Sequence, residues 1–273
     1  MFFTSKKMIA IMMVLLMIFT FAACSKTGGT EPQVETKLDK IKKSGKIVLG
    51  TAADYPPYEF HKEINGKDEV VGFDIEIAKA IAADLGVELE IVDMKFDGLL
   101  AALVADDIDF IIAGMVPKEE RKKSVDFSIP YYQAEQRMLI RAEDSDKLKS
   151  EEDFKGLKMG AQKSTVQEDI AKEKFADNEL ISLSKITDLV LELKNKKIDG
   201  LVLVAPVAAA YAKQNQDLYM PDILLGKEDG VAVAVNKGNT VLLDEINKSL
   251  EKLMKEDAIT KFIQEASDLA DNN

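Results

Sequence analysis

The stretch DIEIAKAIAADLGVELEIV, residues 74–92, decides the fold class. Ile77, Ile81 and Leu85 recur on one helical face, Asp74 stands at an N-cap position with Glu76 in the first turn, and Gly86 supplies a left-handed stop. A strand follows at once, ELEIV (88–92). The same grammar extends outward in both directions: strand KIVLG (46–50) before it, then a helix from Asp97 to Ala105 and strand IDFIIA (108–113). It returns as strand LKMGA (157–161), helix 165–175, a strand at 180–184, helix 187–196 and strand IDGLVLV (198–204). This alternation predicts an α/β fold whose mostly parallel sheets are flanked by helices. Leu103, then Ile108-Asp109 after four residues, is echoed by Leu193 and Ile198-Asp199, which points to two related lobes. VAVAV (231–235) reads as a buried or edge strand before helices at 240–254 and 257–268.

The composition narrows the function classes. With 273 residues, 47% hydrophobic and 31% charged, the chain buries enough for one or two compact domains. Its 36 Lys+Arg against 48 Asp+Glu, a net charge of -12, oppose capture of nucleic acid, whose phosphates need cations. One Cys, one His and no Trp allow neither a disulfide framework nor a thiolate–imidazole zinc site. Catalysis through a serine or cysteine triad would rest on His61 alone, which falls in the charged run HKEINGKDE and reads as a solvent-facing loop residue. No metal, no cofactor and a monomer are expected.

Residues 1–23 carry Lys6-Lys7, the apolar run MIAIMMVLLMIF and the small pair Ala22-Ala23 before Cys24, the pattern of an export signal peptide. Small residues just before the only cysteine resemble a bacterial lipobox, which implies a lipid on Cys24; Phe21 stands where that pattern prefers Leu. An uncleaved membrane anchor is the alternative. Residues 24–43, rich in Ser, Thr, Gly and charge at the start, are assigned to the lipidated cysteine and a flexible tether. Without residues 1–23 the chain has 34 basic and 48 acidic residues, a net of -14.

In open parallel sheets ligands bind beyond the carboxyl ends of the strands. Here those ends carry Thr51–Asp54, Gly114–Val116, Gln162–Val166 and Val204–Ala205. Across them, TAADYPPYEF (51–60), VGFDIEIAKAIA (71–82), MKFDGLLAAL (94–103), AGMVPKEERKKSVDFS (113–128) and the PYY of 130–132 resemble the extracellular solute-binding proteins of family 3. That family supplies polar amino acids to ABC importers. The resemblance implies a periplasmic-binding-protein-like fold of two lobes joined by two hinge strands. Lobe 1 would be 44–134 plus 229–273, and lobe 2 would be 135–228. It also implies a lipid-anchored receptor outside the cytoplasm that passes an amino acid or related small carboxylate to an ABC permease, without catalysis.

Residue by residue, Arg121 matches the arginine that grips the ligand's α-carboxylate, a role suited to a planar two-pronged donor. From the residues alone it reads as a solvated member of the charged turn EERKK. Tyr55 and Phe96 match positions that clamp a ligand side chain between aromatic faces, with core packing as the alternative. Glu59 and Asp54 are candidates to pair with a cationic ligand group. Gly114, with Met115 beside it, matches a close backbone approach to the ligand. Ser164 and Thr165 offer N–H groups to an anion, though capping with Glu168 explains them equally.

Four family polar positions are apolar here: Ala52, Val116, Val166 and Val204. Relatives place an acid at the last to hold the α-ammonium. Losing such a charge-assisted bond forfeits about 1.5 to 3 kcal/mol, roughly ten- to hundredfold in affinity. A ligand lacking an α-ammonium therefore stays open, as do a non-transporting sensor or adhesin and a dehydratase-like enzyme, the last disfavoured by these apolar replacements.

Overall fold

The computed structural model describes residues 35–227 and 229–271. The signal segment, Cys24 and most of the tether lie outside the described residues. Residues 36–273 form one compact unit.

The first helix, α1 (Lys37–Ser44), occupies the end of the assigned tether, which corrects the reading of 37–43 as flexible. Thr36 and Asp39 cap it reciprocally, Leu38 and Ile41 are buried, and Lys37 pairs with Asp109 at 2.7 Å. Then come β1 (Lys46–Thr51), β2 (Asp54–Tyr55), β3 (Glu59–Ile64), β4 (Lys67–Val71), α2 (Phe73–Leu85), β5 (Glu88–Asp93), α3 (Leu99–Val104), β6 (Phe110–Ile111), α4 (Glu119–Lys122) and β7 (Val125–Phe127). A second series follows: β8 (Glu135–Arg141), β9 (Lys158–Gln162), α5 (Val166–Lys174), β10 (Glu179–Leu183), α6 (Ile186–Lys194), β11 (Gly200–Val204), α7 (Ala205–Gln214), β12 (Leu218–Tyr219) and β13 (Leu224–Lys227). The chain ends with β14 (Ala234–Asn236), α8 (Thr240–Lys255) and α9 (Ala258–Asp271).

Two sheet-bearing lobes result, as the alternation of strands and helices predicts. One sheet has the order β5-β1-β6-β14-β7, with β1 parallel to β5 and β6 and β14 antiparallel to β6 and β7. The other runs β10-β9-β11-β8, with β12 and β13 both pairing along β8. The late strand β14 thus returns to the first sheet. The chain passes between the sheets twice, and the two crossings touch through an antiparallel bridge of Tyr132 with Val231.

The echo in the sequence is a structural repeat. Asp109 accepts from Val48 N at 2.8 Å and its own N–H donates to Val48 O, pinning the start of the β1–β6 pair. Asp199 treats Lys158 in the same way, at 3.0 Å and 2.7 Å, at the start of β9 and β11. A Cβ on Gly50 would run into Ile108 and one on Gly160 into Ile198, so each glycine admits the isoleucine of its own repeat.

Three further expectations are corrected. Asp74 does not cap α2: Gly72 occupies that position without a side-chain bond, and Asp74 is wholly buried. The charged run 61–69 is a hairpin of β3 and β4 turning at Asn65-Gly66, both with the positive φ (53° and 77°) that a type I′ turn requires. The strands placed at 108–113 and 231–235 shorten to two and three residues. At the second of these, Val231 N–H donates to Tyr132 O, Ala232 N–H to Met115 O and Val233 N–H to Ser128 Oγ, so these groups serve the crossing and not the ladder.

Candidate ligand-binding cleft

The ends of the central strands meet between the lobes. From the first lobe, Thr51 at the end of β1 donates its hydroxyl to Ile112 O at 2.8 Å, which brings the segments 52–55 and 113–116 out side by side. From the second, Thr165 caps α5: its hydroxyl donates to Gln162 O at 2.6 Å and accepts from Glu168 N at 3.2 Å. Ser164, at φ 66°, donates its N–H to the Glu168 carboxylate, so the local capping bonds are made within the turn.

Arg121 lies between these two turns. It is only 5% exposed, and its prongs reach one carbonyl on each lobe: Nη1 donates to Val116 O at 2.6 Å and Nη2 to Ser164 O at 2.7 Å. Its Cζ is 5.4 Å from the Phe96 ring centroid. Among the described residues it forms no ion pair with a carboxylate, and burial lowers its pKa to about 10 against the weaker pull of Glu120 and Asp169. Arg141, the other buried arginine, is fully served by Asp144, Asp199 and the carbonyls of Leu193 and Ile198. A buried guanidinium without a counter-ion is costly and invites an anion.

Two carboxyl systems face it. Asp54 Oδ2 accepts from Ile186 N across the lobes at 2.7 Å, while Tyr211 donates its hydroxyl to Asp54 O at 2.8 Å. Its Oδ1 is buried without a hydrogen-bond partner. Burial pushes this carboxyl up to about 6, opposed by the Ile186 N–H and Lys185 and reinforced by Asp93. Glu59 (1% exposed) and Asp74 form a buried pair. Asp74 Oδ2 accepts from Gly114 N and from the Tyr131 hydroxyl, both at 2.9 Å. Burial and the neighbouring Asp74 charge push Glu59 well up, so Glu59 holds the proton and donates it to Asp74.

Two cavities that share residues lie along the inter-lobe contact, and a third, about 440 Å³, is lined by Phe96, Met115 and Arg121 with Ser164 of the second lobe. Of the first two, one of about 10 Å³ is lined by Arg121, Asp54, Tyr55, Glu59, Phe96, Gly114 and Thr165, together with Ala52, Val116 and Val166. The other, about 270 Å³, is a chamber walled by Phe60, Phe96 and Tyr211 with Asp54, Asp93 and His61. They share Ala52, Asp54 and Phe96. Met115 is packed in the first lobe's core with Phe96, Leu99 and Val125; it lines neither of these two cavities but does line the third, beside Arg121. Val204 is 2% exposed at the end of β11 and also lines neither. His61 is a strand residue bridging Asp68 at 2.9 Å and Asp93 at 3.2 Å, not a loop residue. Sequence reasoning missed Asp74, Tyr131 and Tyr211. For Asp74 a signal existed: it sits between apolar neighbours in VGFDIEIA, which suits a buried acid better than a cap.

Two sheet-bearing lobes with cavities between them are the architecture of a solute-binding protein. The chain belongs to the bacterial extracellular solute-binding proteins, family 3, whose model matches residues 47–266. It is 35% identical over 254 residues to the arginine-binding extracellular protein ArtP of Bacillus subtilis, covering 91% of this chain and 92% of that protein. Among solved structures, the amino acid ABC transporter substrate-binding protein AbpA from Streptococcus pneumoniae, bound to L-arginine, superposes with a TM-score of 0.81 at 36% identity, over 85% of this chain and 98% of that one. The ancestral amino-acid-binding protein AncCDT-1, a precursor of cyclohexadienyl dehydratase, shares the fold at a TM-score of 0.76 and 35% identity, over 84% and 98%.

Proposed function

We propose that the protein is the extracytoplasmic, lipid-anchored receptor of an ABC importer, holding an amino acid or related small carboxylate between lobe 1 (44–134 plus 229–273) and lobe 2 (135–228). The observation that carries this reading is Arg121: a guanidinium buried between the lobes, bonded to one carbonyl from each and lacking a counter-ion. A ligand carboxylate accepts both prongs at once and supplies the missing charge. Because one prong already reaches each lobe, ligand capture and lobe closure become a single event, which shifts an open–closed equilibrium towards closed.

Tyr55 and Phe96 flank the ligand, Gly114 permits close backbone approach, and Thr165 orients the second-lobe turn. The arginine-binding relatives favour a cationic amino acid or a close analogue. Calorimetry of the purified chain with amino acids and their analogues, paired with uptake assays in cells lacking the gene, tests the reading. Binding without any change in uptake would reassign the protein to sensing. Product formation from a bound solute would reassign it to the dehydratase-like branch that AncCDT-1 represents.

A further inference from the structure

The cleft carries two charges that the chain leaves incompletely partnered, and they are of opposite sign. Arg121 has carbonyl acceptors but no counter-ion among the described residues. Asp54 has one oxygen bonded to Ile186 N and the other, Oδ1, buried and unmet. The remaining acids near the cavities are engaged. Glu59 is tied to Asp74 by a shared proton, and Asp93 accepts from Ala53 N at 2.8 Å and pairs with His61. The small cavity next to Arg121 is otherwise walled by Ala52, Ala113, Val116 and Val166 and by the uncharged Tyr55, Gln162, Thr165 and Gln167, so beyond Asp54 and the Glu59 carboxyl it offers an ammonium no carboxylate. The chamber that opens from Asp54 has aromatic faces, Phe60, Phe96 and Tyr211, and its 270 Å³ approaches the lower end of small-molecule sites, about 300 Å³.

We infer that the preferred ligand is an ω-guanidino or ω-amino carboxylate without an α-ammonium, its carboxylate on Arg121 and its single cationic end in the chamber at Asp54. This rests on the reading of the inter-lobe gap as a solute-binding cleft and narrows its ligand. A cation reaching Asp54 Oδ1 makes the hydrogen bond that burial denies it, and aromatic faces hold its hydrocarbon stem and its charge. With Asp54 taken by the cationic end, an α-ammonium would be stripped of water against alanine, valine and neutral amide or hydroxyl groups, with no free carboxylate to pair with. The exposed lysines Lys95 and Lys185 at the chamber edge disfavour a second positive group there.

Isothermal titration of the full chain in mild detergent with 5-guanidinopentanoate, L-arginine and agmatine separates the contributions, since the second adds the α-ammonium and the third removes the carboxylate. The expected order is 5-guanidinopentanoate about tenfold or more tighter than L-arginine, with agmatine weaker than 5-guanidinopentanoate. On Asp54→Asn the guanidino acid should weaken about tenfold or more. The neutral isostere 5-ureidopentanoate should show the same loss on the unaltered protein, which keeps the test independent of how the variant folds. L-arginine binding as tightly as 5-guanidinopentanoate, or 5-ureidopentanoate binding as tightly as its guanidino counterpart, overturns the inference. If an amino acid with an uncharged side chain binds tightest, the inference falls and the receptor reading stands. If no amino acid or carboxylate binds, both fall.

Discussion

Replacing Arg121 by methionine keeps a flexible apolar side chain over Phe96 and removes the charge with both donors. Two charge-assisted hydrogen bonds are lost, each contributing about 1.5 to 3 kcal/mol. Against that, the fold no longer buries a guanidinium whose pKa burial lowers to about 10, a cost of about 3 kcal/mol to the charged form. The net expectation is a stability loss of about 0 to 3 kcal/mol. The sign of its pH dependence follows directly. The folded pKa lies below the unfolded one, yet both are far above neutrality, so the arginine is charged in both states and the penalty is constant from pH 5 to 9. One bond, to Ser164 O, crosses the lobes, so its loss also shifts the empty protein towards open by about tenfold or more. Urea unfolding at pH 5, 7 and 9 reads the first effect, and small-angle scattering without ligand reads the second. A variant as stable and as closed as the parent would refute the role of Arg121 as the inter-lobe tie. A loss that changes steeply with pH would mean that another titrating group carries it.

Asp54→Asn should show the opposite pH behaviour. The folded carboxyl titrates at about 6 against an ordinary 3.8, so its stabilising protonation is complete below the lower value and is lost as pH rises through the higher one. Lys185 just before α6 and Asp93 from β5 face it, with Tyr211 of α7 bonded to its carbonyl and His61 across the chamber, so the parent should fall relative to the variant by about 1 to 3 kcal/mol between pH 4 and 7.5 in urea titrations. A variant that gains nothing at the higher pH would place Asp54 in water. Glu59→Gln should be tolerated, because its amide still donates to Asp74. Glu59→Ala should cost about 2 to 4 kcal/mol through a cavity and an unmet buried oxygen, and equal losses in both would deny the shared proton. Val204→Asp should lower the melting temperature of the empty protein and tighten zwitterionic amino acids about tenfold or more in calorimetry; unchanged affinity would remove that position from ligand recognition.

Much of the architecture was legible because its signals are local. The 3.6 and 2.0 residue periods placed α2, β5, β9 and α6 to within a residue or two. The repeated Ile-Asp pair marked two equivalent strand starts, although each aspartate closes its bond onto a neighbouring strand, 61 and 41 residues away. The hinge and the late strand were harder. Val231–Val235 looks continuous in sequence, but its first three N–H groups bond to Tyr132, Met115 and Ser128, partners about a hundred residues away. The acids were the most opaque. Asp74 has the flanks of a cap and the burial of a core residue, and only packing against Gly114, Tyr131 and Glu59 distinguishes the two.

The two buried arginines show why a functional group is recognised by what surrounds it and not by burial. Arg141 lies in the interior with two carboxylates and two carbonyls of its own chain, and that arrangement is complete as it stands. Arg121 is as deeply buried but has carbonyls alone, and Asp54 holds an oxygen that no donor reaches. Each is incompletely satisfied in the empty protein, and neither can relieve the other while Arg121 keeps its carbonyl partners. A molecule carrying one charge of each sign, separated by a stem that Phe96 can cover, relieves both together. Its binding energy then includes the bond that Asp54 Oδ1 lacks in the empty cleft, so Asp54→Asn, which relieves that cost at neutral pH, should also weaken the hold on the cationic end.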